Sequence, residues 1–347
     1  MPKIFEYREP FELESGTILP GFHLAYTTLG QLNEHKDNVV WVFHALTADS
    51  NPADWWQGLV GEGRLFNLAQ HFIVCVNMPG SCYGSIHPLD KDPNTGEVYY
   101  HDFPLFTIKD MVRTYQLLRT WLHIEKIDIG LGGSMGGQQL LEWAITEPGL
   151  FNHIIPIATN AVHSPWAIAF NASQRMCIEA DISWKEKNAT AGMEGMKVAR
   201  SVALISYRNY ETYLLNQSEE HSIKREGFKS EAYQRYQGEK LAKRFNAFSY
   251  FFLSKSMDAH NLGRGRVSIK KALQNIQAKT LVLGIETDIL FPLAEQSFLA
   301  DHIPGATMMT IQSTFGHDGF LLEFEQIKNA INLFLTNEKM TKYQLIN

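Results

Sequence analysis

The feature that most constrains this chain is a serine in a glycine-rich turn between a strand pattern and a helix pattern. Residues 127–141 read IDIGLGGSMGGQQLL, so an apolar β-branched run leads through residues 132–136 into helical spacing. A G-x-S-x-G turn in this setting holds its serine in a strained backbone conformation, with glycines where side chains would collide with the strand and the helix. We predict that Ser134 is a nucleophile beside the amino end of the following helix, which favours developing negative charge.

The motif alone is a weak indication, because a glycine-rich turn before a helix can also be structural or bind a phosphate. The missing Gly-Lys-Ser/Thr ending excludes a P-loop. The strand before the turn and the helix after it favour the nucleophile.

Apolar β-branched runs alternate with helical patterns up to residue 159 and again from residue 279. This alternation predicts a mostly parallel sheet flanked by helices, and with the serine turn it predicts an α/β-hydrolase fold. We expect an α/β core of residues 1–163 and 267–347. An all-helical lid insertion, residues 164–266, would cover the carboxyl edge of the sheet, where such folds bind ligands. The predicted strands are 39–43, 72–76, 127–131, 154–158, 279–283 and 308–311, the predicted helices include 107–122, 135–145 and 324–335, and a charged, exposed connection is predicted at 216–231.

The remaining members of a catalytic triad are sought after Ser134, because this fold orders its triad as serine, acid, histidine. Asp288 follows one late strand pattern and His317 follows the next, both in loops where catalytic groups are common. His317 would take the Ser134 proton, and Asp288 would hold the imidazole tautomer. Glu286, two residues before Asp288, is an alternative partner for the histidine.

Two backbone N–H groups are expected to form the oxyanion hole. One belongs to Met135, directly after the nucleophile, and the other to Leu46, in the loop after strand 39–43. His44 begins that loop and is interpreted as a packed or capping histidine.

Composition excludes several classes of protein. A net charge of −6 and a pI of about 6.1 lack the basic footprint of proteins that bind nucleic acid or anionic membranes. Three cysteines without a CxxC spacing argue against a disulfide scaffold or a zinc site. No secretory leader and no apolar run long enough to span a membrane is apparent in the sequence. We therefore expect a cytoplasmic protein without a metal.

Several segments, in the same order and over nearly the whole chain, resemble the homoserine O-acyltransferases of methionine biosynthesis. As a set they are far more specific than the serine turn. They are HALTADSNPADWWQGLVGEGRLF (44–66), NMPGSCYGS (77–85), HDFPLFTIKDMVR (101–113), GGSMGGQQLLEWA (132–144), AFNASQR (169–175), KVARSVALISY (197–207), YQRYQGEKLAKRFNA (233–247), GIETDILFP (284–292) and GHDGFL (316–321).

The resemblance implies a ping-pong acyl transfer without a bound cofactor. Ser134 would take the acetyl group of acetyl-CoA, the co-substrate, and L-homoserine would then accept it with His317 as base. The resemblance also implies a homodimer formed through the helical lid.

The resemblance also implies the residues that bind the acceptor. Arg200 and Tyr207 match the lid arginine and tyrosine, and Asp318 matches the acid after the catalytic histidine. A spacing of seven places Arg200 and Tyr207 on one helix face. An amino acid needs a cation for its carboxylate and an anion for its ammonium group, which Arg200 and Asp318 would supply.

Two segments depart from the family pattern. Residues 85–88 read Ser-Ile-His-Pro where Ser-Thr-Gly-Pro is expected, and Glu286 stands where a small residue is expected. Neither removes a catalytic group, but both can alter the pocket. The sequence therefore leaves open a succinyl donor, a serine acceptor, or an esterase in which water resolves the acyl-enzyme.

Overall fold

The computed structural model describes residues 2–221 and 223–346, and for residues 337–346 it describes the backbone only. Residues 1 and 347, where the predicted core begins and ends, lie outside the described residues. So does Ser222, which belongs to the predicted charged connection. In the part of the chain so described, no helix is both long enough and apolar enough to cross a membrane.

The core of the fold is an eight-stranded sheet with the strand order β1-β4-β6-β5-β7-β8-β9-β10. The strands from β6 to β10 in this order pair in parallel, whereas β1 and β4 pair antiparallel at one edge. The strands are β1 Lys3–Tyr7, β2 Phe11–Glu12, β3 Ile18–Leu19, β4 Phe22–Leu29, β5 Val39–Phe43, β6 Phe72–Val76, β7 Ile127–Gly133, β8 Phe151–Ile157, β9 Lys279–Ile285 and β10 Thr307–Ile311, with β2 and β3 forming a separate two-stranded sheet.

Helices pack on both faces of this sheet, and the predicted α/β-hydrolase fold is confirmed. The helices are α1 Pro52–Trp55, α2 Ile108–Trp121, α3 Met135–Thr146, α4 Pro165–Glu179, α5 Met193–Tyr207, α6 Tyr210–Gln217, α7 Lys229–Ala242, α8 Ala247–Asp258, α9 Ile269–Leu273, α10 Leu293–His302, α11 Gly319–Leu322 and α12 Phe324–Ile346, with short 3₁₀ turns at Tyr100–Asp102, Ile182–Lys185 and Gly316–Asp318.

Local sequence explains where the central helices begin. The Thr107 side chain accepts a hydrogen bond from the Asp110 N–H, and the Asp110 side chain accepts one from the Thr107 N–H, so the two residues form a capping box at the start of α2. Helix α3 instead begins directly at the serine turn. Its residues from Met135 to Ile145 are all buried, and most of them are apolar or glycine.

The long connection between β8 and β9 is built from helices. Among the described residues, this connection contains helices α4 to α9 and no strand. An isolated β-bridge joins Val162 to Asn261. Helices α4, α5 and α8 pack on one another, and α5 contacts the 3₁₀ turn Gly316–Asp318 that follows β10. The helical segment therefore lies against the carboxyl end of the sheet. The predicted division into core and lid stays a prediction.

The sequence did not predict the four strands before residue 30. It also placed the strand at 154–158, whereas β8 begins at Phe151 and ends at Ile157. Polar Asn152 and His153 interrupt the apolar pattern, yet both contact Asp128 on the neighbouring strand. Ala158 leaves the strand because its φ is +45°.

Candidate active site

Ser134 lies in a strained turn between β7 and α3. Its φ is 57° and its ψ is −126°, a conformation that side-chain-bearing residues rarely adopt. A Cβ on Gly132 would lie 2.6 Å from the carbonyl carbon of Gly136, and a Cβ on Gly136 would overlap the carbonyl oxygen of Phe43. The two flanking glycines are therefore a steric requirement of the turn.

The structure brings Ser134, His317 and Asp288 together in a buried chain of hydrogen bonds. The His317 Nδ1 atom is 2.6 Å from Asp288 Oδ2, and His317 Nε2 is 2.8 Å from Ser134 Oγ. An ionised carboxylate only accepts hydrogen bonds, so the proton of the neutral imidazole sits on Nδ1. Nε2 is then free to accept from the serine hydroxyl, which is the arrangement that a general base requires.

The side chains of Asp288 and His317 are both held by their surroundings. Asp288 Oδ1 accepts the backbone N–H groups of Leu290 and Phe291 at 2.8 and 2.9 Å. The His317 ring stacks on the Phe291 ring at 5.0 Å and meets the Phe320 ring edge-on at 5.3 Å. These contacts fix the orientation of the acid and the imidazole. The alternative acid Glu286 is exposed, so Asp288 is the carboxylate at the histidine.

A threonine that sequence reasoning missed joins the acid loop to the histidine loop. The Thr287 hydroxyl donates to the carbonyl of Ser313 at 2.6 Å and accepts from the N–H of Gly316 at 3.1 Å. Asp288 and His317 are its neighbours in the two loops. Thr287 therefore helps to hold the loop of Asp288 against the loop of His317.

The two predicted oxyanion donors are buried, and both amides are available. Met135 is fully buried and Leu46 nearly so, and within residues 2–221 and 223–346 neither backbone N–H donates to another group of the chain. Buried amides without an internal partner are uncommon and fit a role toward a ligand oxygen. Their role as oxyanion donors stays a prediction.

His44, interpreted from the sequence as a packed or capping histidine, is buried at the start of the loop after β5. Its Nδ1–H donates to the Ala45 carbonyl at 2.9 Å, and its Nε2 accepts from the Met78 N–H at 3.1 Å. Complete burial lowers the pKa of His44 to about 4, so the ring is neutral at pH 7. Its neutral form connects the loop after β5 to the loop after β6.

Acidification should destabilise the fold from about pH 6.5 downward because of buried histidines. Burial lowers the pKa of His44 and His163 to about 4 and that of His260 to about 3, from 6.5. As the pH falls, the unfolded chain takes up these protons first, so stability present above pH 6.5 is lost toward pH 4. Each of His44 and His163 would remove up to about 3 kcal/mol.

Urea unfolding at pH 7.5 and pH 5 measures this loss. His260→Asn should reduce the pH dependence of the free energy of unfolding, whereas replacement of the exposed His35 by glutamine should leave it unchanged. A free energy of unfolding that is equal at the two pH values would contradict the prediction.

The predicted acceptor residues lie beside His317. Arg200 and Tyr207 are both on α5, and the Arg200 guanidinium is 5.3 Å from the centre of the Tyr207 ring. The Tyr207 ring is in turn 5.8 Å from the His317 ring. Burial raises the pKa of Tyr207, partly offset by Arg200, so its hydroxyl stays protonated and can donate. The spacing of seven thus brings the cation and the hydroxyl to one side of the base.

Asp318 follows His317 and has a partner that the sequence analysis missed. Its Oδ2 is 3.1 Å from the Nη2 of Arg208, the residue directly after α5. Both side chains are largely buried, which makes this pair distinct from the exposed ion pairs of the surface. The sequence gave no indication of this contact, because the contact depends on how the end of α5 meets the loop after β10.

Other candidate side chains lie outside this constellation. Burial raises the pKa of the Cys82 thiol to about 11, so it is not an activated nucleophile. His302 bonds the Phe298 carbonyl of its own helix, and His153 bonds Asp128. Over the described ranges of the chain, no group of three or more His, Cys, Asp or Glu side chains is arranged to hold a metal ion.

Known proteins resemble this chain in both sequence and structure. A family model described as alpha/beta hydrolase fold matches residues 38–324. A homoserine O-acetyltransferase from Chlorobaculum tepidum is 40% identical, with the match covering 94% of this chain and 92% of the relative. Another homoserine O-acetyltransferase, from Cyclobacterium marinum, is 48% identical over 332 residues, which cover 96% of this chain and 94% of the relative.

The chain belongs to the homoserine O-acetyltransferase family. The resemblance inferred from the nine segments is confirmed, and the protein is an enzyme of the acyltransferase class. The solved homoserine O-acetyltransferase from Staphylococcus aureus is 26% identical, with a TM-score of 0.79 over 97% of this chain and 94% of that one.

More distant structures show the fold alone. A homoserine O-acetyltransferase from Bacillus anthracis has a TM-score of 0.88 at 23% identity, covering 96% of this chain and 97% of that one. The esterase E22 has a TM-score of 0.86 at 21% identity, covering 96% and 99%. Because an esterase shares the backbone of this family, the fold by itself does not separate acyl transfer from hydrolysis.

The two departures from the homoserine O-acetyltransferase pattern lie away from the triad contacts. His87 Nδ1 is 3.0 Å from Asp90 Oδ2, and the same oxygen accepts the His87 N–H at 2.8 Å. Glu286 is exposed. In the part of the chain that the structure describes, neither side chain forms a hydrogen bond or ion pair with Ser134 or His317, so the hydrogen-bond chain of this family member is intact.

Proposed function

We propose that this protein transfers the acetyl group of acetyl-CoA to the hydroxyl of L-homoserine, giving O-acetyl-L-homoserine and CoA, by a ping-pong mechanism through an acetyl-Ser134 intermediate. The observation that carries the proposal is the presence of Arg200, Tyr207 and Asp318 beside His317, because these groups match a zwitterionic acceptor. The names of the relatives from Cyclobacterium marinum and Chlorobaculum tepidum support the same acceptor and acyl group.

The first half-reaction forms the acetyl-enzyme. His317 Nε2 takes the hydroxyl proton of Ser134 as Oγ attacks the thioester carbonyl, and the N–H groups of Leu46 and Met135 stabilise the oxyanion. Collapse of the tetrahedral intermediate breaks the carbon–sulfur bond, and CoA leaves as a thiol. Asp288 stabilises the imidazolium that exists between the two proton transfers.

In the second half-reaction His317 is again the base, and Ser134 is now the leaving group. His317 deprotonates the hydroxyl of homoserine, whose oxygen attacks the acetyl carbonyl of Ser134. The ester bond to Ser134 breaks, and the proton returns to Oγ. In this scheme Arg200 pairs with the acceptor carboxylate, Tyr207 donates to it, and Asp318 accepts from its ammonium group.

Asp318→Asn should impair the second half-reaction far more than the first. The ammonium contact exists only when the acceptor is bound, so acetylation of Ser134 should stay near its normal rate. Loss of a buried charge partner should weaken use of the acceptor by about 2–5 kcal/mol in kcat/KM. Rapid-quench measurement of both half-reactions tests this prediction, and equal damage to both would reject the proposed role of Asp318.

The overall activity is tested by free-thiol release from acetyl-CoA and from succinyl-CoA, each with homoserine, with serine and with no acceptor. Release from acetyl-CoA that requires homoserine supports the proposal. Strong release without an acceptor would assign the protein as an esterase-like hydrolase. Preference for succinyl-CoA or for serine would keep the mechanism but overturn the proposed substrates.

We also propose that the enzyme acts in the cytoplasm, in methionine biosynthesis, as a homodimer formed through the helical lid. Apolar side chains exposed on the lid helices support the dimer, since a face of this kind is commonly covered by a partner. Light scattering of the purified chain tests the dimer, and a monomeric mass would contradict it. The exposed apolar residues on these helices include Met176, Val198, Ile205, Leu214, Leu215 and Tyr236.

A further inference from the structure

We propose that Arg208 is a positioning residue for the acceptor: its ion pair holds the Asp318 carboxylate in the orientation that receives the acceptor's ammonium group. The inference rests on the proposed function, since it concerns a group that the second half-reaction uses. It adds a residue that neither the sequence pattern nor the acceptor chemistry had indicated.

The geometry of the pair leaves one carboxylate oxygen for a ligand. Arg208 Nη2 is 3.1 Å from Asp318 Oδ2, and the two side chains are only 18% and 14% exposed. Within the described parts of the chain, Asp318 makes no other ion pair or side-chain hydrogen bond. The arginine therefore occupies Oδ2 and leaves Oδ1 for a second donor. An ammonium group bound at Oδ1 would not displace the guanidinium.

Arg208 is held in place by packing as well as by charge. Its guanidinium lies 5.7 Å from the centre of the Phe315 ring, two residues before His317. Its Nε is buried without a hydrogen-bond partner in residues 2–221 and 223–346, and within those residues the polar contact of the side chain is the ion pair with Asp318. Because a guanidinium remains charged at all working pH values, it provides the carboxylate with a permanent counter-charge.

The ion pair lies where the lid meets the histidine loop. Gly316 has a φ of +61°, and a Cβ there would lie 3.0 Å from the Tyr207 carbonyl oxygen and 3.1 Å from the Arg208 carbonyl carbon. The Thr212 hydroxyl donates to the Thr314 carbonyl in the same contact. The backbone after α5 thus rests directly on the loop that carries His317. Arg208 fixes Asp318 relative to this contact, and with it the acceptor site relative to the base.

Without its counter-charge, the buried Asp318 carboxylate would turn toward water or lose its fixed orientation, because an unpaired buried charge is costly. The carboxylate that binds the acceptor's ammonium group would then be displaced, whereas Ser134, which reacts with the thioester, would be unchanged. The expected consequence is a raised KM for the acceptor with a much smaller change in kcat.

The test is a comparison of the two half-reactions in Arg208→Met, Arg208→Lys and the control Arg8→Met, which removes an exposed arginine paired with Glu6. We expect acetyl-enzyme formation within about twofold of the unmodified protein in all three. Arg208→Met should raise the KM for homoserine about 10- to 100-fold, and Arg208→Lys should recover part of this loss. Should the methionine variant fail to fold, the lysine variant carries the comparison.

A double-mutant cycle with Asp318→Asn separates positioning from a general structural role. If Arg208 acts through Asp318, the double variant should be no worse than Asp318→Asn alone. An unchanged homoserine KM in Arg208→Met, or full additivity of the two changes, would overturn the inference. If the unmodified protein transfers no acetyl group to homoserine, the proposed function fails and this inference fails with it. If it does transfer the group, the kinetics of the variants test the inference alone.

Discussion

Replacement of Ser134 by alanine should abolish acetyl transfer, with kcat reduced by about 10⁵-fold or more, as for other triad nucleophiles. The change removes only the Oγ atom that attacks the thioester. It cannot relieve the backbone strain of the turn, because alanine at φ 57° is as strained as serine. It deletes the hydrogen bond to His317 Nε2 at 2.8 Å. We therefore expect the free energy of unfolding to change by about 1 kcal/mol at most.

Thiol release and thermal unfolding of the same preparation measure both parts of this prediction. Ser173→Ala is a matched control, because Ser173 is an exposed serine on α4 whose hydroxyl donates to the Ala169 carbonyl. That variant should keep full activity. Persistent acetyl transfer by Ser134→Ala would contradict the proposed mechanism, and so would a loss of activity explained by unfolding.

Asp288→Asn should lower kcat by about 10⁴-fold while the loop keeps its conformation. The amide oxygen can still accept the N–H groups of Leu290 and Phe291, which Asp288 Oδ1 accepts in the native protein. The amide nitrogen then faces His317 Nδ1 and donates to it. The imidazole proton moves to Nε2, which can no longer accept the proton of Ser134.

The control for this change is Glu286→Gln, two residues away in the same loop. Glu286 is exposed and the triad hydrogen bonds do not include it, so its charge can be removed without disturbing the histidine. Steady-state kinetics and unfolding curves of the two variants give the comparison. Loss of activity in Glu286→Gln with retention in Asp288→Asn would assign the orienting acid to Glu286 instead.

The serine turn was predictable because steric rules act over a few residues. Gly132 and Gly136 are required by contacts within the turn and with the adjacent strand, so the motif itself carries the information. The positions of Asp288 and His317 after late strands follow from parallel strands that end at one edge of the sheet. The fold class and the order of the residues along the chain were therefore sufficient to predict that these two loops meet.

Other features depend on contacts that sequence spacing does not encode. The Arg208–Asp318 pair forms where the end of α5 meets the loop after β10, so neither residue indicates the other along the chain. Thr287 is similar, since its role rests on the distance between two loops. The strand Phe22–Leu29 was missed because its burial does not alternate regularly: four of its first five residues are buried.

An acetyl-Ser134 intermediate should be visible by mass spectrometry after brief reaction of the protein with acetyl-CoA, without an acceptor, followed by an acid quench. We expect a mass increase of one acetyl group, located by peptide mapping on Ser134. The increase should be absent in Ser134→Ala and should disappear when homoserine is added before the quench. An unmodified Ser134 during active turnover, or an acetyl group on another residue that homoserine discharges, would contradict the proposed mechanism.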